Sequence, residues 1–95
     1  MPEYDVAHIR EQGVDLIIVP LKDRFGRLSA AEQHTAINEL QRRAAAAGLA
    51  GKVIPIWPAG VGRMAFIAPR PYRPFFRSID LRFVLRNVNR RLTWS

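Results

Sequence analysis

The sequence predicts an α/β (α+β) two-layer sandwich with its elements in the order α-β-α-β-β-α, and three local patterns predict it. Residues 14–21, VDLIIVPL, have an unbroken apolar centre, the pattern of a strand covered on both faces. Ser29-Ala-Ala-Glu32 has the spacing of a capping box and stands ahead of a long helix-forming run. Residues 52–57 and 63–68 are short apolar runs separated only by Pro58-Ala-Gly-Val-Gly62, close enough for a hairpin.

The elements follow in order. Residues 5–13 read as a short helix capped by Asp5 and ended by Gly13, with Val6 and Ile9 as its apolar face. Residues 14–21 are the first strand, closed by Pro20, and Lys22-Asp-Arg-Phe-Gly-Arg27 is a polar loop. The capped helix runs from Ala30 to about Ala47. Ile37, Leu40, Ala44 and Ala47 form its narrow stripe, and Gly48 supplies its left-handed stop. Proline cannot donate to a ladder, so Pro55 and Pro58 place the second strand at a sheet edge and the third in the middle. The first two strands then run parallel and flank an antiparallel third, a small three-stranded mixed sheet with a split β-α-β arrangement. Ser78 caps a last helix extending to about Leu92. Leu81, Val84, Leu85, Val88 and Leu92 face the sheet, and Arg82, Arg86 and Arg90 lie opposite.

A chain of 95 residues is expected to form a single domain, residues 1–95, and its 48% apolar content can fill a core. There is no cysteine, hence no disulfide, no thiol nucleophile and no cysteine-bound zinc. The acidic, polar start Met1-Pro-Glu-Tyr-Asp5 does not have the form of a signal peptide, and no apolar run approaches membrane-spanning length. The expectation is a cytoplasmic protein without a membrane span.

Few residues offer chemistry. His8 and His34 are isolated from any metal-ligand spacing, no two acids are paired for acid–base work, and no Gly-x-Ser-x-Gly elbow occurs. Gly60-Val-Gly62-Arg63 has the look of a phosphate-loop fragment but joins two strands, which makes it a turn. A non-enzymatic protein without metal or cofactor is expected. One small-anion site is conceivable, with Lys22, Arg24, Arg27 and Ser29 at the carboxyl end of the first strand and Arg63 across the hairpin turn. The alternative is that these are ordinary solvated loop charges.

Charge is the stronger signal. Of the net +7, residues 1–50 contribute six basic groups against seven acids. Residues 51–95 contribute nine basic groups against the single acid Asp80. Arg63, Arg70, Arg73, Arg77, Arg82, Arg86, Arg90 and Arg91 therefore form the candidate surface for an anionic partner, with nucleic acid first. In APRPYRPFFR (residues 68–77) arginines alternate with Tyr72, Phe75 and Phe76. Either the aromatics stack on unpaired bases, with the prolines holding the segment extended, or they are core residues leading the chain into its last helix. The competing reading is a protein–protein module that meets an acidic protein. It includes a homodimer that would cover the doubly apolar first strand, with Trp94 as tail anchor or interface residue.

Overall fold

The computed structural model describes residues 3–94 and opens on a strand, β1 (Glu3–Glu11), where a short helix was expected. Residues alternate along it. Val6 faces one side of the sheet, while Ala7 and Ile9 face the other. Gln12 and Gly13 both adopt positive φ, 51° and 78°, and form the two-residue turn into β2 (Val14–Pro20). That geometry matches the right-handed twist of antiparallel strands, so Gly13 closes a hairpin where a helix stop was read. The register sets Arg10 opposite Asp15, and their side chains pair at 3.4 Å.

After a 3-10 turn at Asp23–Arg27 comes helix α1 (Ala30–Ala46), opened by the expected capping box. Its end is a Schellman motif: Gly48 at φ 82° donates to the Ala45 carbonyl, and Leu49 donates to that of Ala44. Strand β3 (Lys52–Pro58) then lies parallel to β2, and β4 (Met64–Phe66) returns antiparallel through the turn at residues 59–63. A second 3-10 turn, Arg70–Tyr72, leads into α2 (Arg73–Ser78). Helix α3 (Leu81–Arg86) and strand β5 (Arg90–Thr93) complete the chain.

The fold is mixed α+β, with three α-helices and a five-stranded sheet among the described residues, in the order β4-β3-β2-β1-β5. The expected three-stranded sheet and its strand order are thus corrected. β3 is interior and β4 is at the edge, despite Pro55. The Pro55 carbonyl accepts from Ile67 on the β4 side, at 3.2 Å, so the missing N–H also points that way. β4 pairs only with the stretch from Ile56 to Pro58 and ends before reaching Pro55. The proline therefore leaves the ladder to β2 intact.

Helices cover both faces, giving three layers where two were expected. On one face, α1 brings Leu40 and Ala44 against Val6, Ile17, Val19, Val53 and Leu92. On the other, α2 and α3 bring Phe76 and Val84 against Ala7, Leu16, Ile18, Ile54 and Ile56. β2 is therefore buried on both faces and flanked by β1 and β3, all within one chain. That supplies the cover for which a second copy had been invoked.

The last predicted helix is also corrected. Asp80, not Ser78, caps α3, its Oδ1 accepting from the Phe83 amide at 2.8 Å. The Ser78 hydroxyl ends α2 by donating to the Phe75 carbonyl. Helicity stops at Arg86. Asn87 caps the end, and the side chain of Asn89 bonds both backbone groups of His8, its Nδ2–H to the carbonyl and its Oδ1 to the amide, each at 2.9 Å. An amide side chain there continues the edge of β1 as a peptide would, and β5 follows. Leu92 lies on the α1 face, opposite Leu81 and Val84, with which it was expected to share a stripe.

Candidate anion-binding layer and amphipathic cleft

The structure divides the eight candidate arginines. Six of them, Arg63, Arg70, Arg73, Arg77, Arg82 and Arg86, are exposed and lie within residues 63–86 together with a single acid, Asp80, whose side chain caps α3. None of the six has a carboxylate partner among the described residues. Arg73 and Arg77 are four residues apart on α2, and Arg82 and Arg86 four apart on α3. Like charges at that spacing share a helix face and cost a few tenths of a kcal/mol each. Arg73 is partly engaged, its Nε–H donating to the Ala68 carbonyl. Arg63 sits in the β3–β4 turn.

Arg90 and Arg91 do not continue a helical stripe, because they belong to β5. Arg90 pairs with Val6 in the ladder and so lies on the α1 side of the sheet. Arg91 bridges two acids of β1, Glu3 at 3.0 Å and Asp5 at 3.5 Å. Asp5 thus serves as a cross-strand partner and not as a helix cap.

The aromatics of residues 68–77 point inward. Phe76 is 1% exposed and packs against Phe66 and Phe75, with ring centroids 5.5 and 5.2 Å apart. Phe75 meets Phe83 edge-on. Tyr72 packs against the same cluster. The segment is not extended as its prolines suggested. Pro71 lies inside the 3-10 turn and Pro74 in the first turn of α2, where a missing N–H costs nothing.

The proposed loop site is divided as well. Arg27 pairs with Asp23 at 3.6 Å. The Ser29 hydroxyl accepts from the Glu32 amide, and its own amide donates to the Glu32 carboxylate, which is thereby held below its ordinary value of 4.5. Both groups are therefore committed to local structure. Lys22 and Arg24 remain without a carboxylate partner among the described residues, and both line a cleft of about 680 Å³. Arg63 is not part of its lining.

The cleft opens at the carboxyl end of β2, between the 3-10 turn, the inner side of α1 and the β1–β5 pair. Leu21, Phe25, Leu28 and Leu40 are among its apolar lining, and Tyr4 and Trp94 stack at 5.5 Å along it. Arg43 lies 5.0 Å over the Trp94 ring and pairs with Glu39, so the indole is tied to α1 as well as to β1. Tyr4, Arg91 and Trp94 were not foreseen as cleft residues because the strands that carry them were read as helix or tail. A lone tryptophan near the end of the sequence was the one available signal.

No group of three or more histidine, cysteine or acidic residues is arranged to hold a metal among the described residues. No helix among them is long and apolar enough to cross a membrane. His8 donates from Nε2 to the Ala50 carbonyl at 2.8 Å, and His34 is exposed on α1. No protein-family model, curated protein or solved structure matches this chain.

Proposed function

We propose that this protein is a small, non-enzymatic binding domain for an anionic partner, nucleic acid in the first place, engaged through the arginines of residues 63–86. The observation that carries this reading is the presence of six exposed arginines without carboxylate partners among the described residues, four of them in like-charged pairs on α2 and α3. Adjacent unpaired cations are a standing cost that a row of phosphates relieves. Because Phe75, Phe76 and Phe83 are spent on the core, the contact is to phosphate and not to base faces. Duplexes are then bound at least as well as single strands.

The test is a titration of the nuclease-treated protein against labelled single- and double-stranded DNA and RNA at two salt concentrations. A steep loss of affinity with salt is expected. Arg82→Glu with Arg86→Glu should abolish binding and leave the thermal melt nearly unchanged. Unaltered affinity in that variant overturns the reading.

A second reading, an acidic protein as partner, is favoured by Leu85. It is 53% exposed on α3 between Arg82 and Arg86, an apolar centre within a basic rim. Under this reading Leu85→Ala weakens capture of the partner and affinity depends only weakly on salt.

A further inference from the structure

We propose that the cleft beside β2 is a binding site for a small organic monocarboxylate, separate from the arginine layer and independent of its function. Its volume, about 680 Å³, is in the range of small-molecule sites, and its lining joins an apolar floor to a few charged groups at the rim. Those charges are not equivalent. Glu3 and Asp5 are taken by Arg91, and Glu39 by Arg42 and Arg43. Among the described residues Lys22 and Arg24 are the two lining cations without a carboxylate partner, and both stand on the segment that leaves the carboxyl end of β2. β2 and β3 form the one parallel pair among the described residues, and the carboxyl end of parallel strands is where α/β sheets gather ligands.

The charge count also selects the ligand. Three carboxylates and three cations line the cleft, and because Arg91, Arg42 and Arg43 hold the carboxylates, Lys22 and Arg24 are the pair left to meet a ligand's charge. A single negative charge, held by Arg24 and Lys22, fits. An apolar body fits the surface of Tyr4, Leu21, Leu28 and Trp94, which is partly exposed, over the buried Phe25 and Leu40.

The experiment is a nitrogen-15 NMR titration of the intact protein with 2-naphthoate, repeated with the neutral isostere 2-naphthamide. Saturable shifts are expected at the Trp94 indole N–H and at the amides of Tyr4, Phe25 and Leu40, with naphthamide at least about tenfold weaker. Lys22→Ala with Arg24→Ala, both at exposed positions, should lower the naphthoate affinity by about tenfold or more, whereas Arg82→Ala with Arg86→Ala should leave it unchanged. Equal binding of acid and amide, shifts confined to α2 and α3, full affinity in the Lys22/Arg24 variant, or no saturable shift at about 1 mM ligand would each overturn the proposal. Because the probe is not a nucleic acid, loss of one reading leaves the other standing.

Discussion

The two helical layers of this molecule solve the same problem in opposite ways. α1 is 17 residues long, opened by a reciprocal capping box and closed by a Schellman motif, and its charges are matched: Glu39 meets Arg43 one turn on and Arg42 beside it. The opposite layer is made of two six-residue helices, each too short to hold together on its own. It is secured from within, by Phe66, Phe75, Phe76 and Phe83, and its outer charges are unmatched. A layer whose cohesion comes from local helix devices uses its surface charges for itself. A layer whose cohesion comes from a buried aromatic cluster leaves its surface charges available.

The largest test of that contrast is Phe76→Ala. Truncating a ring 1% exposed at the centre of the cluster should cost about 3 kcal/mol or more in urea-induced unfolding. A cost under about 1 kcal/mol would mean that something other than the cluster holds the layer. Next comes Ser29→Ala, which removes the hydroxyl that accepts from the Glu32 amide, leaves the backbone half of the reciprocal cap in place and should cost about 1 kcal/mol. The same cap has a pH signature. Hydrogen bonds from the Ser29 amide and hydroxyl region depress the Glu32 carboxyl, so its contribution is fully present above the unfolded value of 4.5 and is lost as pH falls through the lower folded value. Glu32→Gln should therefore flatten the acid limb of the stability profile, and an unchanged limb would show that the cap contributes nothing. The smallest effect is expected at the outer arginines. Arg77→Ala, Arg82→Ala and Arg86→Ala should each shift stability by no more than about 0.5 kcal/mol, since none has a carboxylate partner among the described residues. A larger destabilisation would show these side chains to be structural and would erase the contrast.

The same division explains what could be read from the residues alone. α1 announced itself through Ser29, Glu32 and Gly48, and β2 through its apolar run, because those signals are local. β1 and β5 were hidden because each makes sense only beside the other. β1 is a thin alternation interrupted by His8 and Arg10, and β5 begins with two adjacent arginines; the acids that receive Arg91, Glu3 and Asp5, lie at the far end of the sequence. The spacing of Leu81, Val84, Leu85, Val88 and Leu92 did fit a helix. The competing pairing of Asn89 with His8 ended it. Half of the cleft was legible for the same reason. Lys22 and Arg24 follow a recognisable strand, while Tyr4 and Trp94 meet only through the concealed β1–β5 pair. The residues of α2 alone admit both an inward and an outward setting of Phe75 and Phe76, and packing against Phe66 and Phe83 turns them inward.

The pairing of Glu3 with Thr93 has a kinetic meaning. It joins the first described strand to the last across a span of 90 residues, the longest loop the chain must close, and closing a loop costs entropy before its contacts repay it. β5 should therefore zip onto the sheet after the β1–β2 hairpin and the β2–α1–β3 unit have formed, and it should be the first strand to leave on unfolding. Until it arrives, β1 is an open edge able to pair with a stranger. The charges that made it hard to recognise as a strand, Glu3, Asp5 and Arg10, are also what would discourage such a pairing during that interval.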